Sequence, residues 1–548
     1  MQKIKKKIII LSISLSAIFS LAFVDNYFEI SKNLDIMTTA YRELNMYYVD
    51  DIDAAKLMRT GIEAMVESLD PYTNYISESE IEDYRFMTTG QYGGVGASIF
   101  TRKNYVEIKE VYEGFPAQKA GLKAGDILME IDGKSVKGKN TSEVSKFLKG
   151  QAGSTIKVLF KRPSETKLQT ITLSREEIQI DNVPYYGMIS PSIGYIQLKG
   201  FTQDATKEVK NALLELKKNT GLKGVILDVR GNPGGLLHEA VGIANIFVPK
   251  GELVVNTKGK AKEGEKKYFT INDAVDPTIP LAVLTNSSSA SASEIVSGVM
   301  QDLDRGVIVG QRTFGKGLVQ TTRPLTYNSQ LKITTAKYYI PSGRCIQALD
   351  YTHRNEDGSV GKIPDSLIKA YKTKSGRKVF DGGGVAPDFS MPVNNYSNIT
   401  NSLLSKHLLF DFATDYTSKH TEIKPSGEFH LSSEDYLAFE NFLKDKDFDY
   451  STSSEKLLED YKKAATKENY FDAVAEDYQK LKIKLSHDKS ADLKRYQQEI
   501  TTLIEQEIAS RYYFQKGRTQ QQLASDPEVI KAMNILLDNE TYHNTLKN

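Results

Sequence analysis

The sequence predicts a multidomain α/β protein, in which an α/β core lies between two helical regions. The chain has 548 residues, which corresponds to about three or four domains of ordinary size. From about residue 178 to residue 392, apolar strand-like runs alternate with helix-like segments, as in cores built with crossover connections. Beyond about residue 395, glycine and proline become sparse and charged, tyrosine-rich helical segments dominate.

The first 25 residues carry a targeting pattern. Lys3, Lys5, Lys6 and Lys7 precede an uncharged, mostly apolar run over residues 8–24, which is typical of a signal peptide or an uncleaved signal anchor. The run is near the short limit for a membrane span, and the small residues around Leu21 suit cleavage, so both interpretations stay open. Positive-inside orientation places the rest of the chain in the periplasm or cell envelope, anchored in the inner membrane by residues 8–24 if the segment stays.

The next two regions differ in periodicity. Residues 26–89 show helical spacing of apolar residues, and Pro71 ends the second of these helices. At Gly90 the pattern changes to short alternating runs, which follow a glycine-rich loop. That loop is made of Tyr92, Gly93, Gly94, Val95 and Gly96.

Composition excludes several classes of function. The formal net charge is +1, from 71 basic and 70 acidic residues, so nothing favours nucleic acid as a partner. Cys345 is the single cysteine, which excludes an intrachain disulfide and a cysteine-based zinc cluster. We favour a structural role for this thiol over a nucleophilic one. The lack of paired histidine motifs disfavours a metal hydrolase.

A run of serine and alanine, residues 287–293, follows the apolar strand predicted at residues 281–284 and leads into a helical pattern. A hydroxyl on such a strand-to-helix turn lies close to the free N–H groups of the helix start. The alternative is a flexible loop that caps a helix. A nucleophile needs a base, and His238 is the only histidine that this core places upstream of the run, which makes a Ser–His site the second hypothesis.

Lysine is the alternative base, provided that burial lowers its pKa. Lys316 lies between two glycines, Phe314 and Leu318 are expected to form apolar walls, and Gln320 could hold the amine by a hydrogen bond. A Ser–Lys pair is a known variant of the catalytic triad. The alternative interpretation of Lys316 is a surface lysine in a glycine turn, without a catalytic role.

A third element, residues 230–235 (Arg-Gly-Asn-Pro-Gly-Gly), follows the strand predicted at residues 225–229. Consecutive glycines leave bare N–H groups, which suit an oxyanion hole. A phosphate-binding loop is disfavoured because the Gly-Lys-Ser/Thr ending is missing.

Taken in order, these three elements resemble the carboxyl-terminal processing peptidases, also called tail-specific proteases, of the S41 type. The matching segments are residues 228–235, 289–294 and 310–320, with further family-like segments at residues 70–73, 338–344 and 382–388. The resemblance covers about residues 36 to 392. It implies a ClpP/crotonase-like α/β protease core with an inserted PDZ domain. The implied divisions are a targeting segment (1–25), an N-terminal helical region (26–89), the PDZ domain (90–175), the protease core (176–395) and a C-terminal helical domain (396–548).

The resemblance also assigns roles. Ser291 would be the nucleophile, Lys316 its base and Gln320 the partner of the lysine. The oxyanion would bind the N–H of Ala292 and one N–H from Gly234 or Gly235, and the sequence does not choose between these glycines. No metal and no organic cofactor are expected. An inactive protease-like scaffold is the competing hypothesis, which the joint presence of serine, lysine and glutamine disfavours.

The PDZ resemblance implies the partner. The loop formed by residues 92–96 matches the carboxylate-binding loop, whose successive N–H groups can receive a terminal carboxylate while the peptide adds as a strand to the sheet edge. The expected partners are unstructured, apolar C-terminal tails, and the PDZ domain is expected to gate the active site. The helical regions are expected to support a homodimer or to bind an adaptor protein.

Overall fold

The computed structural model describes residues 27–355, 357–485 and 489–547. The targeting segment predicted at residues 1–25 lies outside these ranges. Among the described helices, none combines the length and the apolar character that a bilayer crossing requires. The chain divides into two compact units, the first containing residues up to 78 together with 320–334, and the second containing the remainder.

The elements are named here in chain order. The helices are α1 (27–47), α2 (Ala54–Glu67), α3 (Ile81–Thr89), α4 (Pro116–Lys119), α5 (Thr141–Leu148), α6 (Ala205–Leu216), α7 (Leu237–Phe247), α8 (Ala292–Asp302), α9 (Asn398–Ser405), α10 (Leu408–Lys419), α11 (Ser433–Leu443), α12 (Ser453–Lys467), α13 (Phe471–Leu485), α14 (Lys489–Arg495), α15 (Gln497–Leu523), α16 (Pro527–Leu537) and α17 (Asn539–Lys547). The strands are β1 (Asn74–Ile76), β2 (Gln91–Gly94), β3 (Ala97–Arg102), β4 (Tyr105–Val111), β5 (Ile127–Ile131), β6 (Lys134–Ser135), β7 (Thr155–Lys161), β8 (Leu168–Ser174), β9 (Glu176–Gln179), β10 (Tyr185–Met188), β11 (Ile193–Gln197), β12 (Gly224–Asp228), β13 (Leu253–Lys258), β14 (Lys266–Phe269), β15 (Leu281–Thr285), β16 (Val307–Gly310), β17 (Leu318–Pro324), β18 (Gln330–Tyr339), β19 (Leu349–Arg354), β20 (Val360–Lys362), β21 (Ala370–Lys372), β22 (Lys378–Phe380) and β23 (Phe389–Ser390).

The first unit contains α1, α2, β1 and parts of β17 and β18. Asp53 is the N-cap residue of helix α2, and its side chain accepts the N–H of Lys56. Strand β1 pairs antiparallel with the start of β18, with Tyr75 opposite Leu331. The helical periodicity predicted for this part of the chain is therefore realised as two helices separated by a short connection.

In the second unit, residues 97–174 form an antiparallel sheet in the order β3-β4-β5-β7-β8, and β6 pairs with β5. The alternating apolar residues of these strands are buried with those of α5. Helix α5 begins with a capping box formed by Asn140 and Glu143. Strands β2 and β9 pair with each other at the two ends of this region.

The α/β core is a sheet in the order β10-β11-β12-β15-β16-β23, in which every pair except β10–β11 is parallel. Strands β11, β12, β15 and β16 are entirely buried, as expected for parallel strands covered on both faces. Apolar residues of α6, α7 and α8 share one cluster with the sheet. A second apolar cluster joins strands of the sheet to α16 and α17, from which it contains Val529, Ala532, Ile535, Leu536 and Tyr542.

The C-terminal region thus has two parts. Helices α9, α10, α11 and α15 bury a cluster of their own, whereas α16 and α17 cover a face of the core sheet. The first part also contacts the antiparallel sheet of residues 97–174, where Arg102 Nη1 lies 2.6 Å from Asp411 Oδ1 and the Phe100 ring packs edge-on against Phe410. The predicted fold class, a multidomain α/β protein with helical regions on both sides, is confirmed.

Candidate active site

Three loops leave the same edge of the core sheet. They follow the carboxyl ends of β12, β15 and β16, which are parallel neighbours, with Asp228 opposite Leu284 and Thr285 opposite Gly310. This edge is where open α/β sheets bind ligands. Residues 230–235, 287–291 and 311–317 lie in these loops, so the sheet topology brings the three sequence elements together.

Ser291 is the residue that precedes α8. Its backbone has φ 54° and ψ −112°, a conformation that residues with a side chain rarely adopt and that is often found at functional sites. The side chain is half-buried. Ala292 is the first helical residue, and its N–H has no acceptor within the helix. Ser291 therefore lies at the positive end of the helix dipole, beside a free N–H group.

The buried carboxylate of Glu294 joins the serine loop to the lysine loop. Its Oε2 accepts the backbone N–H of Ser291 at 2.8 Å and that of Lys316 at 2.8 Å. Its Oε1 accepts the hydroxyl of Thr313 at 2.6 Å and the N–H of Gly315 at 2.7 Å. One carboxylate oxygen thus holds the backbones of the candidate nucleophile and the candidate base next to each other.

Tyr338 makes a second link between the same two residues. Its hydroxyl lies 2.7 Å from the carbonyl oxygen of Lys316 and 3.1 Å from that of Ser291, and its side chain is buried. Sequence reasoning did not assign roles to Glu294 or Tyr338. The Ser-x-x-Glu capping-box spacing could have found Glu294, whereas no local signal points to Tyr338, because its partners are distant in sequence.

The two glycines of the third loop have different surroundings. A Cβ on Gly234 would lie 2.8 Å from the nitrogen of Ala292 and 2.8 Å from Ser291 Cβ, so only glycine fits against the serine turn. The N–H of Gly234 donates to Asn232 Oδ1 at 2.9 Å. Gly235 packs against the backbone of Phe201. The hydrogen bond of Gly234 leaves Gly235 as the better candidate for the second oxyanion donor.

The remaining residues that the sequence placed near the lysine or proposed as a base are Gln320, His238, Phe314 and Leu318. Gln320 belongs to the first unit, where its amide donates to Thr334 Oγ1 at 3.1 Å, and its proposed part in holding the lysine stays a prediction. The imidazole of His238 is 70% exposed at the start of α7. Phe314 is 46% exposed and Leu318 is buried, and their expected part as apolar walls beside the lysine stays a prediction.

The surroundings of Cys345 disfavour a reactive thiol. Cys345 is half-buried, and burial raises the pKa of its thiol, which disfavours the nucleophilic thiolate form. Among the described residues, no group of three or more histidine, cysteine or acidic side chains is arranged to hold a metal ion.

The glycine-rich loop predicted at residues 92–96 is shorter than the sequence suggests. Tyr92, Gly93 and Gly94 lie on β2 and pair with β9, which leaves Val95 and Gly96 as the turn before β3. Gly96 has φ 73°, which glycine adopts readily. A cavity of about 240 Å³ adjoins this turn between β3 and α5. Its apolar lining includes Phe86, Val95, Ile99, Tyr112 and Leu148.

Burial gives Glu294 a measurable effect on the pH dependence of stability. Burial raises the pKa of Glu294 from 4.5 to about 7, against the effect of its four hydrogen bonds. Between these values the folded state binds more protons than the unfolded state, so the free energy of unfolding falls as the pH rises. We expect a decrease of about 3 kcal/mol from this group between pH 4.5 and pH 7.

The test compares the melting temperature at pH 5 and at pH 8 for wild type and Glu294→Gln. The variant is expected to be less stable throughout, because its amide would present a donor to N–H donors, and to lose less stability between the two pH values. Glu265→Gln, at an exposed carboxylate of the same core, should keep the wild-type difference. Equal pH differences in wild type and Glu294→Gln would contradict the prediction.

Comparison with known proteins gives three matches along the chain. Residues 192–353 match peptidase family S41, residues 107–162 match the PDZ domain, and residues 399–536 match the C-terminal helical domain of a probable PDZ-protease. Together these matches include most strands of the core sheet, part of the antiparallel sheet and most of the C-terminal helices.

Curated relatives include a carboxy-terminal-processing protease of Bartonella bacilliformis, 36% identical over 316 residues, which are 57% of this chain and 72% of that protein. A probable CtpA-like serine protease of Staphylococcus aureus is 36% identical over 318 residues, 57% of this chain and 62% of the relative. Among solved structures, a photosystem II D1 C-terminal processing protease is 28% identical and covers 65% of this chain and 92% of its own, with a TM-score of 0.36. From the motifs, the loop geometry and the relatives together, the chain belongs to the carboxy-terminal-processing proteases of peptidase family S41, a family of serine-type peptidases.

Proposed function

We propose that this protein is a serine endopeptidase of the cell envelope, which binds unstructured apolar C-terminal tails through its PDZ domain and cleaves the tailed protein with a Ser291–Lys316 dyad. The observation that carries the proposal is the shared Glu294 oxygen, which accepts the backbone N–H groups of both residues at 2.8 Å. Residues 25 apart in sequence are thereby held as neighbours, as a nucleophile and its base must be.

In the proposed reaction, the neutral amine of Lys316 removes the hydroxyl proton of Ser291, and the serine oxygen bonds to the carbonyl carbon of the scissile peptide. The resulting oxyanion receives hydrogen bonds from the N–H groups of Ala292 and Gly235, each worth roughly 3–4 kcal/mol in comparable sites. Lys316 then gives its proton to the leaving amine as the C–N bond breaks. Water, deprotonated by the same lysine, hydrolyses the acyl-enzyme.

The PDZ region supports the proposed choice of substrate. The turn at Val95 and Gly96 and the edge of β3 offer backbone groups to a terminal carboxylate and an added strand. The adjacent apolar cavity of about 240 Å³ suits one hydrophobic side chain at the end of a tail. An extended, unfolded tail is required because only such a chain can add to a strand edge and reach the serine.

Two further parts of the proposal come from the sequence. The lysine-rich start and the apolar run at residues 8–24 favour export, with the segment acting as a signal peptide or as an inner-membrane anchor. Association into a homodimer, or with an adaptor protein through the helical regions, is also proposed. The test of location is fractionation with a reporter enzyme that is active only outside the cytoplasm.

The substrate is tested with one folded reporter carrying an unstructured tail that ends in apolar residues. We expect the wild-type enzyme to cleave it in the presence of EDTA, because the proposed chemistry needs no metal. Three control reporters are compared with it: one without a tail, one with a tail ending in aspartates and one with an amidated terminus. At low substrate concentration, each should be cleaved at least about tenfold more slowly, because each loses apolar or carboxylate contacts in the PDZ site.

Two outcomes would contradict the proposal. Equal cleavage of tailed and tailless reporters would exclude tail recognition, even if the enzyme is active. Absence of cleavage and of labelling by a fluorophosphonate would instead favour the competing hypothesis, a protease-like scaffold that recruits partners.

A further inference from the structure

Arg230, in the glycine-rich loop of the core, is bound by two acidic residues of the C-terminal region. Its Nη1 lies 2.6 Å from Glu528 Oε2, and its Nη2 lies 2.9 Å from Asp526 Oδ2. A third carboxylate, that of Asp228, lies 2.6 Å from Nη2. Arg230 is 14% exposed, and the exposures of Asp228, Asp526 and Glu528 are 3%, 6% and 11%. The contacts are therefore largely shielded from water and screened little by salt.

The two distant acids are themselves firmly placed. Asp526 is the N-cap of α16, where its Oδ1 accepts the N–H groups of Glu528 and Val529 at 3.0 and 3.2 Å. The following turns of α16 bury Val529, Ala532 and Leu536 against the core sheet. Because the apolar face of the helix fixes its position, its first turn presents both carboxylates to Arg230 in a set geometry.

The loop that contains Arg230 is bonded to the turn that contains Ser291. The carbonyl oxygen of Asn232 accepts the N–H of Ala290 at 3.0 Å and the hydroxyl of Ser293 at 2.9 Å. The side chain of Asn232 also accepts the N–H of Gly234 at 2.9 Å. A shift of Arg230 would thus move the backbone of the candidate oxyanion donors and the residues on both sides of the nucleophile.

The cluster carries more negative than positive charge, which is not what is expected of an ion cluster that serves to stabilise the fold. Three carboxylates surround one guanidinium, and Lys199 adds one positive charge nearby, with Nζ 3.3 Å from the Arg230 carbonyl oxygen. Burial raises the pKa of Glu528 in spite of Arg230. Buried ion clusters of this kind contribute little net stability compared with apolar packing. A role in fixing the geometry of the loop therefore explains the arrangement better than a contribution to stability does.

We infer that Asp526 and Glu528 are positioning residues for peptide-bond cleavage, which hold Arg230 and so keep the backbone of residues 231–235 in the geometry that receives the oxyanion. The inference rests on the proposed function. It gives the C-terminal region a part in catalysis, because α16 completes the support of the oxyanion loop from outside the protease motifs.

The test uses the full-length double variant Asp526→Asn/Glu528→Gln. Asparagine caps a helix as well as aspartate does, and glutamine keeps the size of glutamate, so α16 is expected to remain folded. We expect kcat on the tailed reporter to fall about 10- to 100-fold, the range for a misplaced or weakened oxyanion donor. KM should stay within about twofold, because the tail binds at the PDZ domain.

Two measurements separate positioning from a merely structural role. A peptide aldehyde, which forms a tetrahedral adduct with the serine, should bind the double variant more weakly by about the same factor as kcat falls. Binding of a tail peptide, measured in a Ser291→Ala background, should not change. Glu540→Gln, at an exposed acid of α17, is the matched control and should keep wild-type kcat and aldehyde affinity.

The outcomes are distinguishable. A double variant with wild-type kcat and aldehyde affinity would overturn the inference while wild type remains an active protease. A fall in kcat that disappears when rates are divided by the concentration of folded enzyme would also overturn it. Failure of the proposed function would look different, because wild type itself would then be as inactive as Ser291→Ala.

Discussion

Replacing Ser291 by alanine is expected to lower kcat by about 10⁴- to 10⁶-fold, the loss typical of removing a catalytic nucleophile. Neither of the alternate serines next to it, Ser289 or Ser293, is placed to substitute. The hydroxyl of Ser289 donates to the carbonyl oxygen of Val229 at 2.8 Å, and that of Ser293 donates to Asn232 at 2.9 Å. Both side chains are fully buried. Ser291 alone combines half-burial with a position at the start of α8.

The measurement is cleavage of the tailed reporter, together with labelling by a fluorophosphonate, which forms a covalent bond with an activated serine. Ser288→Ala, at an exposed position in the same run, is the matched control and should retain cleavage and labelling. Equal activity of Ser291→Ala and wild type would exclude Ser291 as the nucleophile, and labelling of the variant would indicate a different serine.

Replacing Lys316 by alanine is expected to lower kcat by about 10⁴-fold or more, because the serine then has no base. Arginine should be equally inactive, since a guanidinium keeps its positive charge at all accessible pH values and cannot accept the proton. Lys337→Ala, at an exposed position beside Tyr338, should behave as wild type.

Chemical restoration of the amine separates a base from a structural lysine. Because Cys345 is the only cysteine, a Cys345→Ser background allows Lys316→Cys to be alkylated selectively with 2-bromoethylamine. The resulting side chain carries an amine at nearly the length of lysine. We expect recovery of activity after alkylation with this reagent and none after alkylation with iodoacetamide. Recovery with both reagents would show that the amine is not required.

Much of the site was predictable from local sequence. The α/β alternation indicated a core with parallel strands, and the order of the glycine loop, the serine run and the lysine turn indicated the family. These predictions succeed because buried strands, glycine turns and helix starts are local features. The exposure of Phe314 could not be predicted in this way, because the direction of a loop side chain depends on its tertiary contacts.

The choice among the serines needed the tertiary structure. From the run itself, Ser291 could be selected only through the family motif. In the fold, the hydrogen bonds of Ser289 and Ser293 to the neighbouring loop and the unusual backbone of Ser291 provide a physical reason for the same choice. This reason depends on which loop lies beside the serine turn, and the order of the strands in the core sheet determines which loop that is.

By itself, the sequence determined the fold class, the family and the candidate nucleophile and base. Only the tertiary structure decided how those residues are held. Glu294 binds the backbones of Ser291 and Lys316, and Asp526 and Glu528 hold Arg230 from almost 300 residues away. The physical reason is that motifs record short-range constraints on the chain, whereas hydrogen bonds and ion pairs between distant segments form only when parallel strands and the helices that cover them are packed together.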